Sequence, residues 1–396
     1  METLILEKKD EVYLTVDAEP SIQRELSEFF TFYVPGYKFM PAFRNRMWDG
    51  KIRMFSQKTK EIYFGLFPYI KSFAEERGYN VVCGEDVEID NKVDRELVEK
   101  FSNSLGQKFE ARDYQVDAIY HSLKFNRALL LSPTASGKSF IIYSLIRYYS
   151  HLIKDDNNNR ILLIVPTTSL VEQMTKDFID YGYKEPICKI YHGQEVFDAP
   201  ITVTTWQSFA KAPKEVLQSF DVVVGDEAHL FKATTLKGIL EKMKTTAIRI
   251  GTTGTLDGTE VHRLQLEGLF GPVKKVVSSA ELIEDGTIAK IDIQTIILRH
   301  TKQKKMSYQD EMDYLVSHQG RNQFITNLVG SLRGNTLVLF QYVEKHGQVL
   351  WEMFNPMVGR MNGQLHYVYG GTDTEDRENV REIVEKSKKK KNVILG

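Results

Sequence analysis

Cysteine is nearly absent. Only Cys83 and Cys188 occur in 396 residues, far apart and with no companion Cys or His at ligand spacing, so neither a disulfide framework nor a zinc site is supported and both thiols read as core residues. Long apolar runs are missing too, since nothing approaches the roughly 18 consecutive apolar residues of a membrane span. The opening METLILEKKDE lacks the apolar segment of a signal peptide. A soluble, cytoplasmic chain with no membrane partner is the expectation. Neither sign of charge is in excess: 52 Lys and Arg stand against 53 Asp and Glu. That balance argues against a uniformly basic coat for nucleic acid and moves the question to where the charges sit. Core material is plentiful, at 42% hydrophobic residues over a length that suits two or three domains.

The most informative stretch is ALLLSPTASGKSF, Ala128 to Phe140. Ala128 to Leu131 read as a buried strand, Ser132 to Ser139 turn the chain, and IIYSLIRYY has helical spacing. That order presents successive backbone N–H groups and a helix N-terminus to an anion. Within Pro133, Thr134, Ala135, Ser136, Gly137, Lys138 and Ser139, the glycine permits close backbone approach and Lys138 can reach the outer phosphates. The Ser139 hydroxyl can join the ligand shell of Mg2+. ATP and magnesium are the expected ligands. Ser132 stands where the general phosphate-loop pattern has its first glycine. A Gly-Lys turn merely capping a helix is the bland alternative, and the strand before and helix after speak against it.

Residues 1–90 read as a small α+β unit. EVYLTVDA alternates as a half-buried strand does, and PSIQRELSEFFTFYV has helical spacing with Pro20 and Ser21 at its start. Asp49-Gly50 signals a hairpin turn, IRMF and EIYFGLF predict a second hairpin across SQKTK, and KSFAEERGY a short helix. Between Lys38 and Lys60 lie seven cations, Lys38, Arg44, Arg46, Lys51, Arg53, Lys58 and Lys60, against the single anion Asp49. Tyr37, Phe39, Phe43, Trp48 and Phe55 are interleaved with them. Cations among flat side chains suit phosphate contact and base stacking, with Arg44, Arg46, Lys51 and Arg53 the candidates. The alternative makes the aromatics a small core and the cations its solvated face. GEDVEIDN at 84–91 reads as an acidic linker.

From about 108 to 276, strands and helices alternate, the pattern of a parallel sheet covered on both faces. Strands are expected at ALLL, ILLIV, CKIYH, ITVTT, DVVVG and AIRIGTTG. Ligands bind outside the carboxyl ends of such strands. DEAH, Asp226 to His229, falls at such an end. Asp226 is suited to hold magnesium through water and Glu227 to orient or deprotonate the water attacking a γ-phosphate. Adjacent acids can merely cap a helix, but not usually after an apolar strand downstream of a phosphate loop. His229 alone is a weak signal.

Together SPTASGKS, DEAH and GTTGT resemble the ATPase core of superfamily-two helicases and translocases, and further matches follow in that family's order. RDYQVDAIYHSL resembles its adenine-reading motif, with Gln115. IVPTTSLVEQ, with Pro166 and Thr167, resembles its first nucleic-acid-contacting motif. VTTWQSF, with Thr205, Trp206 and Gln207, resembles the second. Thr253, Gly254 and Thr255 sit where the family couples hydrolysis to strand movement, and His229 joins Lys138, Asp226 and Glu227 in the catalytic set. Two departures are Ala135, where helicase loops often carry glycine, and Gly225, where an apolar residue usually precedes the acids.

After the connector SSAELIEDGTIAKIDIQTIIL, the helix HQGRNQFITNLVGSL, the strand TLVLF and the helix VEKHGQVLWEMF resemble the opening of a second RecA-like domain. LHYVYGG, TEDRENVREIVEKSKKK and NVILG follow as strand, helix and strand. The family continues into two further motifs, so this domain is expected to be incomplete, with NVIL as an open sheet edge. Arg321, in a Gln-Gly-Arg cluster, resembles part of the family's last motif but precedes TLVLF, and a helix-surface or interdomain role is expected. Lys388 to Lys391 read as a solvated helix end, with phosphate contact as the rival reading. The fold expected is α/β: RecA-like parallel-sheet motor domains at 91–276 and 277–396, behind a small α+β nucleic-acid-binding domain at 1–90. PGYKFMPAFRNRMWDGKIRMF and FGLFPYIKSFAEERGY closely resemble the amino-terminal domain of a phage branch of the superfamily. That resemblance implies a monomeric motor remodelling branched or duplex DNA in recombination and repair, by branch migration, fork regression and unwinding of RNA–DNA hybrids in R-loops. The rivals are an RNA helicase and a non-catalytic nucleic-acid-binding chain.

Overall fold

The computed structural model describes residues 2–152, 160–191, 199–232, 234–256, 258–299, 306–360, 363–387 and 391–396. Lys388, Lys389 and Lys390 of the basic run lie outside the described residues. The chain divides into two compact units, residues 1–290 and 291–396.

The first unit opens with β1 (Thr3–Lys8) and β2 (Tyr13–Asp17), an antiparallel hairpin. Its turn is closed by the Asp10 carboxylate, which accepts from the backbone N–H groups of Val12 and Tyr13. β3 (Thr31–Tyr33) pairs with β4 (Lys51–Arg53) in a two-stranded ribbon, while β5 (Glu61–Tyr63) and β6 (Asn80–Cys83) complete a four-stranded sheet, order β5-β2-β1-β6. Alternate residues Leu4, Leu6, Leu14 and Val16 face inward against Ile22 and Leu26 of the helix Pro20–Phe29 and Phe73 of the helix Phe67–Arg77.

Three local expectations fail here. The first helix stops at Phe29 instead of running through FTFYV, because the Thr31 hydroxyl donates to the Ser27 carbonyl and the β-favouring Thr-Phe-Tyr run leaves to pair with β4. Asp49-Gly50 does enter β4, with Gly50 left-handed, but what precedes it is a helical turn, Pro41–Arg44, and not a strand. Gly50 is required by close approach, since a Cβ there would sit 2.3 Å from the Tyr37 ring. β4 and β5 are not a hairpin either: Ile62 and Tyr63 bury with β2, leaving a lone bridge between Ser56 and Glu61. The acidic stretch 84–91 is mostly exposed, as a linker reads, and is tied down by buried Val87 and by the Asn91 amide, which donates to the Leu123 carbonyl.

The six expected strands form as β7 (Arg127–Leu131), β8 (Ile161–Val165), β9 (Ile187–Ile190), β10 (Ile201–Thr205), β11 (Val222–Gly225) and β12 (Ile248–Thr253). A seventh, β13 (Val273–Lys275), is too short and polar to signal itself. The sheet is parallel throughout, in the order β13-β7-β12-β11-β8-β10-β9. The helices Asp113–Phe125, Lys138–Leu152 and Thr168–Asp180 cover one face. The other face, under Glu260–Phe270 and Thr234–Lys242, shares one continuous apolar core with the amino-terminal sheet. At the amino ends of the strands the β1–β2 turn is anchored by ion pairs. Arg127 donates to both the backbone and side-chain oxygens of Glu11, each at 2.8 Å, and Lys244 meets Asp10 at 3.0 Å.

In the second unit β14 (Thr336–Val338), β15 (Gln364–Tyr367) and β16 (Asn392–Leu395) form a parallel sheet in the order β14-β16-β15. NVIL is therefore the central strand and not an open edge, with Val393 and Leu395 fully buried. VEKHG makes a wide turn before the helix Gln348–Arg360. Lys391 is not a solvated cation: its ammonium caps the helix Gln319–Ser331 by donating to the carbonyls of Val329 and Leu332. The Arg321 guanidinium donates to the Leu315 carbonyl and lies beside His346.

Candidate functional site

The carboxyl ends of β7, β11 and β12 are neighbours, and they bring Ser132–Ser139, Asp226–His229 and Thr253–Thr255 together. The loop after β7 is braced from within. Ser136 donates to the Pro133 carbonyl at 2.6 Å, so the Ser132 hydroxyl, 2.6 Å away, is the donor to Ser136. Ser132 thus substitutes a side-chain tie for the flexibility of a glycine. Ala135 takes a left-handed conformation despite its Cβ, as does Gly137. Gly137 is also obligatory by space, because a Cβ would lie 2.3 Å from the Gln115 amide nitrogen. That nitrogen donates to the Ser136 carbonyl at 2.9 Å while the Gln115 carbonyl oxygen accepts from Arg112 N–H, so buried Gln115 ties its helix to the loop. Pro133 and Ser136 are buried, and Thr134 and Ala135 are exposed.

Lys138 begins its helix and is paired with Glu227 at 2.9 Å. Glu227 is held left-handed, φ 50°, a conformation that stores strain where two acids must diverge from one strand end. Asp226 turns inward, accepts from Thr252 at 2.7 Å and is buried. Burial pushes its carboxyl above the usual range, opposed by the Thr252 hydrogen bond and the Lys138 charge. The remaining oxygen of Glu227 lies 3.3 Å from His229 Nδ1, itself 3.0 Å from Thr253 Oγ1. The Thr253 hydroxyl donates to the Thr255 carbonyl, so Nδ1 is the protonated nitrogen. Gly254 lies beside this chain, with the Lys138 ammonium 3.9 Å from where its Cβ would be. A lone DEAH histidine is a weak signal in sequence, but here it bridges the acids to the Thr253–Thr255 turn. Gly225 has a reason as well: a Cβ would meet Phe270 at 2.8 Å and Phe231 at 2.9 Å, and that aromatic pair fills the space beneath Asp226.

Pro166 and Thr167 end β8 and Thr205 to Gln207 end β10, the adjacent strand. Thr167 and Gln207 are exposed, whereas Thr205 is buried and Trp206 packs on the core. Arg44, Arg46 and Met47 are exposed around an open cavity of about 600 Å³ that Lys38 and Trp48 also line, far in sequence from these motifs. Lys51 is half-buried, and Arg53 is paired with Asp49. Sequence reasoning missed Thr252, although it lies within GTTGT, and Tyr181, whose hydroxyl lies 3.0 Å from that of Ser139 and which carried no motif at all.

Comparisons with known proteins fit this geometry. The family described as "DNA helicase UvsW, N-terminal" matches residues 4–84, and "Type III restriction enzyme, res subunit" matches 108–258. The ATP-dependent DNA helicase uvsW of Enterobacteria phage T4 is 31% identical, over 95% of this chain and 77% of the relative's length. A crystal structure of T4 UvsW aligns over 99% of this chain and 80% of that one, at 28% identity and a TM-score of 0.63. The DNA 3'-5' translocase XPB2 of Sulfurisphaera tokodaii is 26% identical over 51% of this chain and 43% of its own length. Among the described residues no helix is long and apolar enough to cross a membrane.

Proposed function

The chain belongs to the UvsW family of ATP-hydrolysing, superfamily-two DNA helicases, and from that premise we propose that it remodels branched DNA, by branch migration, fork regression and R-loop unwinding. The observation that carries the reading is the convergence of Lys138, Glu227, His229 and Thr253 at one end of the sheet, on a chain that also has the family's amino-terminal domain. Residues 1–90 serve as the DNA-engaging domain, 91–276 as the ATPase domain and 277–396 as the hinge and second motor domain. The chain works as a monomer in the cytoplasm of a phage-infected cell.

In this reading the Lys138–Glu227 pair is the resting state of the site. An incoming γ-phosphate takes over Lys138 as its partner, and the carboxylate so released orients the attacking water. Lys138 then offsets charge on the transferring group. His229 senses the change at Glu227 and passes it to Thr253, whose turn with Gly254 and Thr255 leads toward the DNA-facing loops. Gln115 supports the loop and keeps one amide hydrogen for the adenine. Magnesium fits the donors available, the Ser139 hydroxyl and the Asp226 carboxylate, hard oxygens that number too few for a resident ion and suit one arriving with phosphate. No group of three or more His, Cys, Asp or Glu able to hold a metal occurs among the described residues. Held by the Ser139 hydroxyl and the Asp226 carboxylate, magnesium would supply positive charge against the negative charge that develops on the transferring phosphoryl group. DNA runs past Pro166, Thr167 and Thr205 to Gln207, with Arg44, Arg46, Lys51 and Arg53 engaging the branch.

The test is ATP turnover by the whole chain with branched DNA, linear duplex and single-stranded RNA. Branched DNA should stimulate most. Stimulation by RNA equal to or above that by branched DNA would replace this reading with an RNA helicase.

A further inference from the structure

The loop after the helix Thr168–Asp180 places a tyrosine against the phosphate loop. The Tyr181 hydroxyl lies 3.0 Å from the Ser139 hydroxyl. Its ring is fixed on several sides, with ring centroids of Phe140, Tyr143 and Phe109 at 5.7, 5.3 and 5.9 Å. The Tyr143 hydroxyl also donates to the Tyr181 carbonyl at 3.2 Å, so the backbone of the loop is held as well as the ring. A half-buried phenol needs an acceptor, and among the described residues Ser139 is the one it has. Asp226, in contrast, takes its hydrogen bonds from Thr252 and is not bonded to Ser139. The two groups assigned to one cation are therefore not yet joined, and each is engaged elsewhere.

We propose that Tyr181 is a positioning residue that engages the Ser139 hydroxyl in the nucleotide-free site, so that magnesium must draw that hydroxyl from the phenol before Ser139 and Asp226 can share it. The proposal rests on the assignment of Ser139 as a magnesium ligand. Either hydroxyl can donate in this contact; with the phenol as donor it fills one of the two Ser139 lone pairs and fixes the rotation of that hydroxyl, so the cation competes for the orientation of the same oxygen. This sets a small barrier against loading the metal and makes the magnesium-dependent part of nucleotide affinity lower than the phosphate loop alone would give. A purely structural tyrosine would instead affect nucleotide binding with and without magnesium alike.

The test is a titration of the full chain with a fluorescent ATP analogue, in excess magnesium and in EDTA, for wild type, Tyr181→Phe, Ser139→Ala and the double variant, each checked for its thermal transition. Tyr181→Phe keeps the ring packing and removes only the hydroxyl. It should tighten binding in magnesium by about two- to tenfold, the scale of one net hydrogen bond, and leave binding in EDTA unchanged. In the Ser139→Ala background the same change should have no effect. No change in magnesium, weaker binding, an equal change in both conditions, or an effect that survives Ser139→Ala would each overturn the proposal. If Ser139→Ala itself leaves the magnesium-dependent affinity intact, the assignment of Ser139 fails instead.

Discussion

At the carboxyl ends of the seven-stranded sheet Lys138 and Glu227 retain solvent access and alternative partners; at the amino ends Arg127 and Glu11 are nearly buried against each other, with Lys8 on the second oxygen of the Glu11 carboxylate. Lys138 and Glu227 keep 16% and 29% of their side-chain exposure, and Glu227 is shared between Lys138 and His229. Arg127 keeps 6% and Glu11 12%, and burial lowers the Arg127 guanidinium to about 10 despite the carboxylate beside it. A second guanidinium, Arg249, is fully buried nearby and spends its hydrogens on the carbonyls of Leu240, Met243 and Thr246, at the end of the helix Thr234–Lys242. In the proposed cycle the charges of the first end change partners, whereas those of the second tie the amino-terminal sheet to the seven-stranded one.

The largest effect that can break this comparison is at the exchangeable end. Lys138→Ala should reduce DNA-stimulated turnover by a hundredfold or more, about the scale of one lost charge-stabilising donor, and should weaken ATP binding as well. Glu227→Gln should bind ATP near normally and hydrolyse it at least about a hundredfold more slowly, because the carboxylate acts mainly in the transition state. Equal losses of affinity in both variants would mean that the pair is a static bridge. Steady-state turnover and equilibrium nucleotide binding, measured on the same preparations, separate the two outcomes.

The fixed end is tested by stability. Glu11→Ala leaves Arg127 buried without its carboxylate, a change worth about 3–5 kcal/mol in urea unfolding. Replacing both partners, Glu11→Leu with Arg127→Met, should recover most of that loss, since an apolar pair has no ionic desolvation cost. A single variant as stable as wild type would show that the amino-terminal domain is not anchored there.

The same contrast explains what could be read from the sequence. The motor was legible because each of its motifs is local and sits at the end of an apolar strand long enough to be seen, ILLIV and ITVTT being buried throughout. The amino-terminal domain was less so, since its strands of three residues, Thr31–Tyr33 and Lys51–Arg53, are defined by each other across a long excursion. Asp49-Gly50 and SQKTK are sound turn signals whose neighbours pair elsewhere. β16 reads as an edge because it comes last of the three strands in sequence, whereas a parallel crossover sets it between β14 and β15. Within the site, Lys138, Asp226 and Glu227 were evident, but the Tyr181–Ser139 contact depends on how two helices pack and leaves no local pattern.

Gly225 sharpens the comparison at a smaller scale, by asking whether the floor of the site can bear the residue type that the family usually carries. Gly225→Leu would drive a side chain into Phe231 and Phe270. Overpacking of this kind costs about 1–3 kcal/mol, and the displaced strand end should also lower turnover. A variant with wild-type unfolding and activity would show that the aromatic pair moves aside.

The smallest effect distinguishes paired from unpaired cations on the amino-terminal domain. Among the described residues neither Arg44 nor Arg46 takes part in an ion pair, and both are exposed, whereas Arg53 is bound to Asp49 and holds that carboxyl below its usual range. Lys51 lies 4.9 Å from the Tyr33 ring centre, and its carbonyl accepts from the Trp48 indole, so this side of the loop is fixed by its own contacts. A phosphate contact releases condensed counterions, and each one lost should reduce the slope of log affinity against log salt by about 0.9 on duplex DNA. Arg44→Ala and Arg46→Ala should each show that decrement. Arg53→Ala should show less, because Asp49 already neutralises much of the charge that a phosphate would meet and is itself uncovered by the substitution. The fourfold Ala variant at Arg44, Arg46, Lys51 and Arg53 should lose about the sum of these slopes while its unfolding transition stays in place. An unchanged slope in that variant would assign the cations to a solvated face, and a full decrement at Arg53 would mean that DNA breaks the Asp49 pair on binding.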